Sequence, residues 1–208
     1  MLIVTGLCTV GLMSIVGYAV FKDYIDTTQY DISEAMGASN VYVDGNVIVI
    51  DGILDEFTLP QVKNVFYDNI KTNNINTLSI KSNGGSVNAG LEIADFVHQH
   101  QLNTFAPKDC HSACTLVFTA GIKKTITFDT VMGFHAPGWQ FKEKSYSKDT
   151  VGEFVATVND YAGKMMKHYI DSGMSTSFVA SMFSTPFEEI EYYNATELLK
   201  NKVANSIQ

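Results

Sequence analysis

The chain contains no arginine: its 14 basic residues are all lysine, set against 22 acidic ones, for a net charge of −8. Proteins that read nucleic acid carry basic stripes and planar arginine forks that grip phosphates and base edges. Neither is present, so a nucleic-acid partner is not expected. There is no GxxxxGK[ST] run to cradle a phosphate. The histidines and cysteines that lie near one another in sequence (His98, His100, His111, Cys110 and Cys114) fit no zinc-ligand spacing, and His98 and His100 fall on different faces of one helix. No metal and no cofactor is expected. Charge is sparse at 17% of residues, while 46% are apolar, which is a globular composition. The length suffices for one domain with a full core.

Charge is missing altogether from residues 1–21. At about 1.5 Å per residue such a helix spans the roughly 30 Å hydrocarbon layer, so the segment reads as a transmembrane anchor. The competing reading is a cleaved signal peptide ending at Gly17-Tyr18-Ala19. No lysine precedes the apolar run, which is also longer than a signal core, and this favours the anchor. Cys8 has too few residues before it for lipid attachment. Lys22 is followed by Asp23 and Asp26, so no positive flank fixes the orientation. Residues 22–40 are polar and rich in small side chains, and read as a linker.

From residue 41 the pattern changes. Residues 41–51 read as a hairpin around Asp44-Gly45-Asn46, with Val47 to Ile50 suited to a strand buried on both faces. Residues 57–71 read as an amphipathic helix, with Thr58 as a candidate cap and Val62, Val65, Phe66 and Ile70 at helical spacing. Strand 75–81, a turn at 82–87, helix 87–101, strand 103–106, helix 113–120 and strands 125–128 and 131–134 follow. This alternation predicts an α/β domain with a largely parallel sheet over residues 41–208. Sites in such sheets lie beyond the carboxyl ends of the strands. After a polar segment, 140–149, come a long helix over 151–172 closed by Gly173, a helix over 176–183, a strand over 187–193, a short helix over 195–201 and a final strand over 203–207.

Three stretches carry the candidate chemistry. In KDCHSACTLVFTAG (108–121) a polar turn runs into an apolar helix, with Ser112 at the junction. Ser112 is either an ordinary helix cap or a nucleophile, which needs preorganised donors for the oxyanion it creates. In SNGGSVNAG (82–90) paired glycines follow a strand, letting the backbone approach a ligand; Ser86 reads as a helix cap. In MGFHAPG (132–138), His135 ends a strand on the same sheet edge as Ser112, where imidazole is the natural base for a serine. Cys110 and Cys114 flank Ser112 and would form a local disulfide in an oxidising compartment, or stay thiols in the cytosol. Cys110 or Cys114 is a rival nucleophile for His135 to activate; Cys114 would lie a turn inside the helix, which argues for burial or a disulfide. Lys123 and Lys124 read as solvated, so no Ser–Lys dyad is expected.

Taken together and in this order, the three stretches resemble the Clp protease proteolytic subunit and its relatives, which include signal peptide peptidase A and the periplasmic Clp-like branch. The resemblance covers about residues 47–139. It implies the β/α spiral shared with crotonases, Ser112 as nucleophile and His135 as general base. The N–H groups of Gly84 and Ala113 would form the oxyanion hole, Gly85 would pair with substrate backbone, and the helix over 151–172 would mediate homo-oligomer contacts. The family's proline before the glycine pair is Asn83 here. Its acidic third member aligns with Ile190, flanked by Glu189 and Glu191; Glu191 is the carboxylate expected to fill the role. The implied activity is that of a membrane-anchored serine endopeptidase with an extracytoplasmic domain on a bacterial inner membrane, acting on peptides or proteins. The alternative is a catalytically degraded fold serving as a tethered peptide-binding scaffold. A third reading, acyl-thioester chemistry of the crotonase kind, sits poorly with a Ser/His order.

Overall fold

The structure is a computed structural model that describes residues 39–138 and 145–208. The expected anchor lies outside these residues, as does the linker apart from its last two; Asn40 already belongs to the first strand. Among the described residues no helix is long and apolar enough to cross a membrane.

Strands β1 (Asn40–Asp44) and β2 (Val47–Asp51) form an antiparallel hairpin about a two-residue turn. Then come α1 (Thr58–Asn73), β3 (Thr77–Lys81), α2 (Val87–Gln99), β4 (Asn103–Ala106), β5 (Cys110–His111), α3 (Cys114–Thr119), β6 (Lys124–Ile126) and β7 (Val131–Phe134). The chain ends with α4 (Lys148–Asp171), α5 (Thr176–Met182), β8 (Glu191–Asn194), α6 (Ala195–Lys200) and β9 (Ser206–Ile207). The main sheet runs β1-β2-β3-β4-β6-β9 and is parallel beyond the first hairpin. A second sheet, β5-β7-β8, pairs β5 parallel and β8 antiparallel to β7.

Ile48 and Ile80 of the main sheet are fully buried in one core with Ile93 of α2 and Leu116, Val117 and Phe118 of α3. Strand β2 is not buried on both faces as its unbroken apolar run implies: Ile48 and Ile50 are inside, while Val47 and Val49 are only half-buried. Thr58 is the first helical residue rather than the cap. Its hydroxyl donates to Asp55 Oδ1 (3.0 Å) and accepts the Asp55 N–H (3.1 Å), tying the entry of α1 into a local ring. Ser86 does cap α2, accepting the Ala89 N–H. Strand β8 begins four residues later than the expected 187, because residues before Glu191 pack as a loop against the end of β7. Lys124 is not solvated. It is 6% exposed and its Nζ donates to the carbonyl of Ser172 at the end of α4, a favourable place for a cation.

Candidate active site

Short parallel pairing brings the site together. Strand β5 pairs Cys110 with Met132 and His111 with Gly133 on β7. Ser112 and His135 are the residues that leave these two strands at the same edge, so 23 positions of sequence collapse to one contact. His135 Nε2 lies 2.7 Å from Ser112 Oγ. On its other side, His135 Nδ1 lies 2.7 Å from the carbonyl oxygen of Ala136.

Ser112 is not a helix cap. Ala113 holds the N-cap position of α3 and no side chain caps that helix. Ser112 instead has φ +53, an uncommon conformation for a residue with a side chain. Its backbone is held from both directions. The Ser112 N–H donates to the Gly133 carbonyl (2.8 Å), and the Ser112 carbonyl accepts from the Thr115 N–H (3.0 Å) and the Thr115 hydroxyl (2.7 Å). Thr115 has one hydroxyl proton, so the buried Tyr169 hydroxyl at 2.8 Å is the donor to Thr115. Burial pushes the Tyr169 phenol up, so it stays protonated for this role. A disulfide joins Cys110 to Cys114 across the turn, and both residues are fully buried. This leaves neither sulfur as a nucleophile.

The glycine loop meets the Ser112 turn directly. A Cβ placed on Gly84 would stand 2.7 Å from Ser112 Cβ and 3.1 Å from the Ala113 nitrogen. The Gly84 N–H, however, donates to Ser82 Oγ (3.0 Å) and is not free to meet an oxyanion. The N–H groups of Gly85 and Ala113 go to no acceptor among the described residues. Those two N–H groups are left open in the loops that flank Ser112, and the missing side chain of Gly84 lets the two loops touch.

Glu191 does not reach His135. It pairs across the antiparallel register with Phe134, so it faces away from the next residue, His135. Its carboxylate is taken by the Thr185 hydroxyl (3.3 Å) and by Tyr193, whose phenol is pushed up to about 12, first by burial and then by Glu191. Ile190 lies on the His135 side, its Cδ1 2.6 Å from where a Cβ on Gly133 would be. His111, considered from sequence only as a zinc ligand, packs edge-on to Tyr192 with its Nδ1 buried and unpartnered, and burial lowers its pKa. Among the described residues no group of three metal-ligating side chains comes together.

A separate cavity of about 760 Å³ is lined by α2 and α4 residues including Asp95, His98, Lys164, Lys167 and His168, and by none of the site residues. Its cations are already matched: Lys124 to Ser172, Lys164 to Asp160 and Lys167 to Asp171.

No family model and no curated protein matches the sequence. Among solved structures, the chain is similar to a ClpP1 mutant from Listeria monocytogenes, with a TM-score of 0.62 over 79% of this chain and 92% of that one, at 15% identity. The fold is ClpP-like. At that identity the likeness concerns the fold, and function resides in the site that Ser112, His135 and the loops around them form.

Proposed function

We propose that this chain is a serine peptidase. The observation that carries the reading is the 2.7 Å contact between Ser112 Oγ and His135 Nε2 at a turn where Ser112 holds a positive φ. In the reaction, Ser112 Oγ bonds to the substrate carbonyl carbon as His135 Nε2 takes the hydroxyl proton. The Gly85 and Ala113 N–H groups receive the oxyanion. The C–N bond then breaks, the proton passes to the leaving amine, and water repeats the sequence to release the acid.

Two wider features belong to the same proposal. Residues 1–21 anchor the chain in a membrane with the domain on the extracytoplasmic side; the uncharged run and a disulfide suited to an oxidising compartment support this. The protein works as a homo-oligomer through α4. Only Met165 and Tyr169 of its 24 residues are buried, while Val151 and Val155 are 40% and 54% exposed. A peptide-binding scaffold is the second reading, favoured by the lack, among the described residues, of a carboxylate hydrogen-bonded to His135.

The test is covalent labelling of the full-length chain by a fluorophosphonate, beside Ser112→Ala and His135→Ala. Labelling at Ser112 that both substitutions abolish is the expected result. A folded, unlabelled parent protein, together with full function of Ser112→Ala in complementation, would favour the scaffold instead.

A further inference from the structure

A serine–histidine pair needs something to hold the imidazole in the right tautomer, and among the described residues no carboxylate hydrogen-bonds to His135, whose ring partners are Ser112 and Ala136. We propose that the main-chain carbonyl of Ala136 does this work, so that the catalytic unit is Ser112, His135 and a backbone oxygen. The inference rests on the serine-hydrolase reading of the site.

The argument begins with proton counting. A carbonyl oxygen can only accept, so at 2.7 Å from Ala136 O the His135 Nδ1 must carry the hydrogen. Neutral imidazole has one N–H, and Nε2 is therefore left with its lone pair facing Ser112 Oγ at 2.7 Å. That is the tautomer a general base requires. It is the state an acidic third member ordinarily enforces, and whose loss is costly.

The position is built rather than incidental. The Ala136 N–H donates to the Thr185 carbonyl at 2.9 Å, which pins the peptide plane preceding the one that carries the acceptor. The acceptor belongs to the Ala136–Pro137 bond, whose nitrogen has no hydrogen to offer. Phe187 lies edge-on to His135 with ring centroids 5.4 Å apart. It fits there because residue 138 is glycine: a Cβ on Gly138 would come within 2.3 Å of the Phe187 side chain. Glu191 is held by Thr185 and Tyr193, and the side of the strand facing His135 is filled by Ile190. Ala136 is thus a positioning residue, acting through His135.

A neutral dipole supplies orientation but less stabilisation of the imidazolium than a full negative charge. The design suits a slow hydrolase with a correctly poised serine.

The experiment uses the full-length chain and two readouts. The first is the rate of fluorophosphonate labelling in Glu188→Gln, Glu189→Gln, Glu191→Gln and Glu143→Gln, the last lying outside the described residues. Rates within about threefold of the parent in all four are expected; a larger loss in any one overturns the proposal, because a true third member costs orders of magnitude. The second is nitrogen-15 NMR of histidine-labelled protein at neutral pH, with His135→Gln assigning the signal. His135 should be the Nδ1–H tautomer in the parent and in all four variants. An Nε2–H tautomer overturns the assignment, and so does a change of tautomer on neutralising one glutamate. If the parent fails to label at all, the peptidase reading falls, while the tautomer still decides the role of Ala136.

Discussion

Replacing Gly84 with alanine separates two costs that the structure keeps distinct. Gly84 has φ +101, which a residue with a side chain rarely adopts; holding alanine there costs about 1–3 kcal/mol. The added methyl would also stand 2.7 Å from Ser112 Cβ and 2.8 Å from the His111 carbonyl oxygen. Neither neighbour is the far end of a flexible side chain, and overpacking of this kind costs a further 1–3 kcal/mol or so. The sum, about 2–6 kcal/mol, is a large part of a typical domain's stability. Gly45→Ala is the control: its φ of +59 carries a backbone penalty, but nothing lies within 4 Å of its Cβ, so about 1–2 kcal/mol is expected. The two differ more sharply in reactivity. Relief of the Gly84 clash moves the Ser112 turn, and a displacement near 1 Å costs on the order of a hundredfold. Urea denaturation and fluorophosphonate labelling of both variants make the test. If Gly84→Ala loses no more stability than Gly45→Ala and labels at the parent rate, the contact between the glycine loop and the Ser112 turn is wrong.

Other outcomes follow from the same geometry. Tyr169→Phe removes the donor to Thr115 while keeping the ring, and should cost about 1–2 kcal/mol in thermal or chemical denaturation without changing the fold; an unaltered midpoint would mean the hydroxyl is idle. Replacing both Cys110 and Cys114 with alanine opens a five-residue loop and should lower stability by about 2 kcal/mol on chain-entropy grounds, with the parent losing a similar amount on reduction. His168 sits buried against the Thr119 hydroxyl, and burial lowers its pKa below the ordinary 6.5. The folded protein therefore binds that proton less readily than the unfolded chain, and stability should hold above 6.5 and decline as pH falls below it. His111 shifts in the same direction, so His168→Gln should flatten part of the slope measured by denaturation between about pH 7.5 and pH 5.

Much of the architecture was legible because its signals are local. The two-residue turn at Gly45-Asn46, the helical spacing of Val62, Phe66 and Ile70, the Ser86 cap and the strand-helix alternation all depend on neighbours within a few residues. Ser112 and His135 were legible as candidates because Ser112 stands where a polar turn runs into an apolar helix and His135 closes an apolar strand. Strand β5 was not, since two residues carry no periodicity and exist as a strand only through pairing with Met132 and Gly133. Lys124 was misread for a related reason. A lone lysine says nothing of the helix end that will fold back over it from 48 residues away.

The sequence by itself determined the class of fold, the order of its elements and the two side chains that could form a serine–histidine pair, because propensity, hydrophobic period and residue chemistry travel with the chain. Only the tertiary structure decided what surrounds that pair. Whether Gly84 or Gly85 has a free N–H depends on where Ser82 Oγ points. Whether Glu191 reaches His135 depends on a strand register in which a one-residue slip reverses every face. An acceptor made of backbone leaves no trace in sequence at all, since every residue carries a carbonyl and only the fold says which one stands 2.7 Å from an imidazole.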